Sequence, residues 1–188
     1  MIKKLLATAL ALALVGTVAL AQPAIDGAIA DGEYANTLEH DSGAVVYWTV
    51  DGDTLYMGYT MEARGWSGVG WLSEQTNRKA GADVLMFAIV DGAAVSYDSY
   101  QDAARGEPAH DEDEGGSNSL TAFAAVHEGD AWTVEFSRPL ATGEATDVDI
   151  VPGETMIFML AHGNTMDVTR AHDRSNRGGA FYLEGFVF

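Results

Sequence analysis

A chain of 188 residues is long enough for one domain with a substantial core. Its 28 Asp and Glu against 10 Lys and Arg give a formal charge of −18, which speaks against nucleic acid and anionic membrane surfaces as partners. It holds no cysteine, and that excludes disulfides, thiolate metal sites, covalent c-type haem attachment and cysteine nucleophiles.

The chain begins like an export leader. Lys3 and Lys4 precede an apolar stretch, residues 5–20, and Ala19-Leu20-Ala21 has the small-x-small form of a cleavage site. The stretch is short for a membrane span. The expectation is a signal peptide over residues 1–21 and one domain over residues 22–188. The protein is then periplasmic or secreted, with no stable membrane span after cleavage. Loss of Lys3 and Lys4 takes the charge from −18 to −20.

Strand signals follow one another at short intervals. Residues 25–34 form a lead-in with two Asp-Gly turn signals. Residues 44–50 are β-branched and aromatic, and residues 54–62 alternate with the period of a half-buried strand. The run Trp66-Ser67-Gly68-Val69-Gly70-Trp71 reads as a strand that mixes large aromatics with glycine. Glycine weakens a strand unless another backbone or a ligand comes close. A polar loop leads through Lys79-Ala80-Gly81-Ala82-Asp83 into an apolar strand, 84–90. Asp91-Gly92 turns it into 93–97, a strong hairpin signal.

Residues 99–117 read as an exposed loop. Its run Asp111-Glu112-Asp113-Glu114 groups hard oxygen ligands but lacks the alternating spacing of a calcium loop, so a solvated acidic loop is the expectation. Strands at 120–127, 132–137, 156–162 and 180–187 complete the chain. With four prolines, twenty-one glycines and no helical period, the pattern predicts an all-β, antiparallel sandwich of about nine to eleven strands.

Catalytic signatures are missing. The five histidines make no H-E-x-x-H or paired zinc spacing, and there is no Gly-x-Ser-x-Gly elbow. The protein is therefore expected not to be an enzyme. His172 stands out because it sits in Arg170-Ala171-His172-Asp173-Arg174-Ser175-Asn176-Arg177-Gly178. A loop histidine among three arginines suits a ligand that bears carboxylates.

Several segments, in order, resemble the DOMON family of haem-binding and sugar-binding β-sandwich domains. They are Ile25-Asp26-Gly27, Gly32-Glu33-Tyr34, Tyr47-Trp48 and Gly65-Trp66-Ser67-Gly68-Val69-Gly70-Trp71. Then come Gly81-Ala82-Asp83-Val84, Asp98-Ser99-Tyr100, Glu135-Phe136-Ser137-Arg138-Pro139-Leu140, Thr142-Gly143, Asp147 and the stretch from His172 to Gly178. The likeness is to bacterial secreted forms related to the cytochrome domain of cellobiose dehydrogenase and the haem subunit of ethylbenzene dehydrogenase.

The resemblance implies b-type haem and electron transfer. Haem-binding members use a methionine just before the Gly-Ala-Asp segment and a histidine in the late loop as iron ligands. His172 falls on the histidine. Lys79 falls on the methionine, a departure that resembles the methionine–lysine ligation of the ethylbenzene dehydrogenase relatives. Met61, Met86 and His162 are the alternatives to Lys79. The resemblance also implies a pocket in which Gly68 and Gly70 leave room for a flat macrocycle, with Trp66, Trp71, Phe87 and Arg177 around it. A redox protein partner with a basic face suits the acidic charge. The other reading of the same sandwich is a carbohydrate or small-ligand binding module without haem.

Overall fold

The computed structural model describes residues 21–73, 79–172 and 180–188. Residues 1–20 of the expected leader and the expected site residue Arg177 lie outside these.

β-Branched and aromatic runs, alternating over Thr54–Glu62 and buried on both faces over Ser67–Leu72 and most of Thr155–His162, form two antiparallel sheets, face to face. One runs β1 (Asn36–Glu39), β2 (Val45–Asp51), β3 (Thr54–Glu62), β9 (Ala131–Pro139), β8 (Ala122–Glu128). The other runs β11 (Ala180–Val187), β10 (Thr155–His162), β4 (Ser67–Leu72), β5 (Ala82–Val90), β6 (Ala93–Gln101), β7 (Ala109–His110). The only helical turn among the described residues is a 3-10 turn at Asp111–Asp113. The fold is thus the all-β sandwich that the strand chemistry predicts. The Asp91-Gly92 hairpin forms with φ of 52° and 81°, the positive pair that a two-residue turn with right-handed strand twist requires.

Three features differ from the sequence reading. Strand β1 is polar and mostly exposed, so it carries no alternation that would announce it. Strand β6 continues to Gln101, and β7 pairs with it at Ser99↔His110, within the stretch expected to be one loop. Asp111, expected in a solvated acidic run, is fully buried, while Glu112 to Glu114 are exposed.

Strand parity decides which side chains meet. In β4 and β5, Val69, Trp71, Leu85 and Phe87 point between the sheets. They meet Met57, Tyr59, Trp132, Val134 and Phe136 of the opposite sheet in one core. Phe87 stacks on Phe136 with centroids 5.9 Å apart, and the Tyr59 and Ser67 hydroxyls bond across at 2.9 Å. Neighbours of opposite parity leave this core for the outer face of their sheet.

The lead-in is tied to the other outer face by Glu135, which is buried on β9. Its carboxylate accepts from the Tyr34 hydroxyl at 2.8 Å and from the backbone amides of Gly27 at 2.8 Å and Ala28 at 3.1 Å. Burial and this bond hold the Tyr34 hydroxyl well above its usual proton affinity. Glu135→Leu strands these donors, so urea unfolding is expected to show a loss of about 3 kcal/mol. A variant within about 0.5 kcal/mol of the parent would contradict the role given to Glu135.

Candidate functional site

On the outer face of the six-stranded sheet lies a cavity of about 490 Å³, within the range of small-molecule sites. Parity builds its floor. Gly68 and Gly70 of β4, Val84 and Met86 of β5, and Met159 and Ala161 of β10 all turn outward there. One wall is residues 104–108, between β6 and β7, with Lys79. The other is residues 168–172, between β10 and β11, with Ala180 and Tyr182.

The two glycines are required by the backbone as well as by the cavity. A Cβ at Gly68 would stand 2.7 Å from the Leu85 carbonyl oxygen, and one at Gly70 would stand 2.7 Å from that of Asp83. Close approach of β5 therefore leaves the middle of the floor bare.

Both walls are fastened. Lys79 donates from Nζ to the Gly106 carbonyl at 2.8 Å, and burial lowers the proton affinity of its amine. Trp66 donates from its indole to the Arg170 carbonyl at 3.1 Å, and its backbone amide donates to Thr165 at 2.9 Å. Two bonds from one residue hold the segment before His172 against the sheet.

Of the residues singled out from the sequence, Trp66, Gly68, Gly70, Lys79, Met86 and His172 line this one cavity. Trp71 and Phe87 do not. Both have inward parity and are fully buried in the core between the sheets. Met61 lies in that core too. His162 pairs with Ser67 and is not among the lining residues. Arg177 lies outside the described residues.

The sequence reading missed Met159, Tyr182 and the 104–108 wall. Strand β10 is buried on both faces from Met156 to Leu160, so its apolar run does not show which methionine faces out. The donor set of the cavity is an imidazole, an amine and two thioethers on an apolar floor. Imidazole and thioether are among the donors that hold haem iron. The residues present fit a flat, mostly apolar group with a metal at its centre.

A second polar group lies inside the sandwich. Arg138, fully buried at the end of β9, donates from Nη1 to Asp83 Oδ2 at 2.7 Å and has Nη2 3.6 Å from Asp147 Oδ2. Its guanidinium lies 4.9 Å over the Trp71 ring. Asp98 accepts from the Ser119 amide at 2.7 Å and hydroxyl at 2.5 Å. Burial pushes the Asp83 and Asp98 carboxyls up, with Arg138 pulling Asp83 back and Ser119 pulling Asp98 back. Burial and the charge of Asp98 push Asp111 up to about 8.

The DOMON-domain family model matches residues 40–163. No curated protein matches the chain by sequence. Among solved structures, the cytochrome b domain of pyranose dehydrogenase from Coprinopsis cinerea is similar at 10% identity, with a TM-score of 0.50 over 79% of this chain and 80% of that one. The cytochrome domain of Myriococcum thermophilum cellobiose dehydrogenase is similar at 9% identity, with a TM-score of 0.51 over 81% and 88%. At such identities the likeness is one of fold.

The floor geometry yields a direct test. In Gly70→Val the added Cβ alone meets the Asp83 carbonyl, Met159 and Val84, so overpacking is expected to cost about 1–3 kcal/mol in urea unfolding. A variant as stable as the parent would show that the β5 backbone does not restrict this position.

Proposed function

The chain belongs to the DOMON family, and from that premise we propose that it is an exported domain that binds b-type haem in the outer-face cavity and passes single electrons. The observation that carries the reading is one cavity lined by His172 and Lys79 over a glycine floor. Its similarity in fold to two cytochrome domains supports it. Export is supported by the leader pattern of residues 1–21. Among the described residues, no helix is long and apolar enough to cross a membrane.

Bound haem would supply a one-electron couple, tuned by its axial ligands. The chain's own contribution is positioning. His172 offers an imidazole from the 168–172 wall, which Trp66 holds through Arg170. Lys79 offers an amine from the opposite wall, and burial makes its neutral form more accessible. Gly68 and Gly70 keep side chains off the floor, while Val84, Met86 and Met159 exclude water from it. Arg105 and Arg170 in the walls suit carboxylates at the rim. The iron is carried for electron exchange, with no substrate turnover.

A sugar-binding module is the second reading. It is favoured by Tyr182, which lines the cavity yet stays 43% exposed, as a ring that stacks on a sugar would be.

Haem titration of variants tests the proposal. His172→Ala is expected to lose haem retention or weaken it severely. Lys79→Met is expected to keep haem, raise the potential and move the spectrum toward histidine–methionine ligation, since a thioether favours reduced iron more than an amine does. An unchanged haem spectrum in His172→Ala would reject the assignment of His172. A low-spin spectrum left intact by Lys79→Ala would move the opposite ligand to Met86 or Met159. The acidic surface adds a kinetic expectation: electron exchange with a basic-faced partner slows as salt rises. A rate independent of ionic strength would contradict electrostatic docking.

A further inference from the structure

The buried acids inside the sandwich are not used by the haem reading. Asp83, Asp98 and Asp147 bring one carboxylate oxygen each within 4.8 Å of one another. They come from β5, β6 and the loop after β9. Asp111, from the 3-10 turn, is an additional fully buried carboxylate outside that triad, and its Cβ and the Thr146 Oγ1 lie 3.2 and 2.6 Å from one point, the place a Cβ on Gly116 would take. Arg138 is the cation bonded to the group.

Hydrogen bonding leaves this group unfinished. Among the described residues, Asp83 Oδ1, Asp98 Oδ1 and both oxygens of Asp147 are buried without a hydrogen-bond partner, and Asp111 has none but the Thr146 hydroxyl. Buried carboxylates are normally paired or coordinated, because removing their charge from water is costly. Four carboxylates against one guanidinium leave three uncompensated negative charges when all are ionised. Beside Arg138 Nη2, which lies 3.6 Å from Asp147, the unpartnered atoms of this group are carboxylate oxygens, with no imidazole and no sulfur, and oxygen is the donor chemistry of hard cations. Magnesium keeps several of its waters and is seldom caged by protein oxygens alone, whereas calcium takes six to eight oxygen ligands in flexible geometry, so a buried group of carboxylates suits calcium better.

We propose that this cluster is a buried divalent-cation site of calcium type, with Asp83, Asp98, Asp111 and Asp147 as carboxylate ligands and the Thr146 hydroxyl beside them. The ion ties the 3-10 turn and the 146–147 loop to β5 and β6. It therefore anchors the chain just after the 104–108 wall of the cavity. In a protein without disulfides this is a cross-link among four separate segments.

The test uses the mature protein dialysed against a chelator and then titrated with calcium chloride. Calorimetry is expected to show one saturable site per chain, and Tm is expected to rise by at least about 3 °C at saturation. Asp111→Asn and, separately, Asp98→Asn are expected to weaken calcium binding at least tenfold. Glu112→Gln with Asp113→Asn, a change on the exposed neighbours, is expected to leave it intact. Terbium is expected to luminesce when tryptophan is excited, because Trp71 packs on Arg138, and calcium is expected to quench that emission. The proposal is overturned if no saturable site is found. It is also overturned if both aspartate variants bind as the parent does, or if magnesium binds more tightly than calcium. Should the variants fail to fold, absence of calcium-displaceable terbium emission from the parent protein overturns it alone.

Discussion

Everything in this molecule depends on the close approach of β5 to β4. The carbonyls of Asp83 and Leu85 stand where any side chain at Gly70 and Gly68 would have to go. That constraint strips one face of β4. The same strand keeps Val69 and Trp71 on its other face, inside the core. One strand thus has a packed side and a bare side, and the bare side becomes the floor of the cavity. The segment before β7 and the segment between β10 and β11 then rise around it as walls.

Asp83 joins the two polar features of the fold. Its backbone carbonyl lies against Gly70 in the cavity floor, while its side chain turns inward to Arg138. Substitution there reaches the floor and the interior together. The Trp71 ring packs against the Arg138 guanidinium from the core side, so the aromatic face shields the ion pair from water. The acid group is thus held beneath the sheet that carries the cavity, and the two are separate in chemistry: oxygen donors inside, nitrogen and sulfur donors outside.

Much of this was legible in the sequence where a residue type is costly in its place. Glycine inside a strand signals close approach, and Gly68 and Gly70 are both sites of it. Asp91-Gly92 announced its hairpin because both residues must take positive φ. Two motifs far apart in the chain, Gly81-Ala82-Asp83 and Ser137-Arg138-Pro139, prove to be one ion pair. Other features carried no such mark. Strand β1 is polar and has no alternation to read. Strand β10 is apolar on both sides, so the outward turn of Met159 was hidden. Trp71 and Phe87 look the same in sequence whether a large aromatic faces a ligand or the core. Asp111 was masked by its exposed acidic neighbours, since only the 3-10 turn sends its carboxylate inward while theirs stay in water.

The claim at the centre of this account is that the cavity between Lys79 and His172 holds haem. Its most direct test is the absorption spectrum of the mature protein after export into a haem-replete periplasm. The account predicts a coloured protein with a Soret band and, on reduction, the sharp visible bands of six-coordinate low-spin iron. A colourless protein that takes up no added haem and is retained on polysaccharide would contradict it.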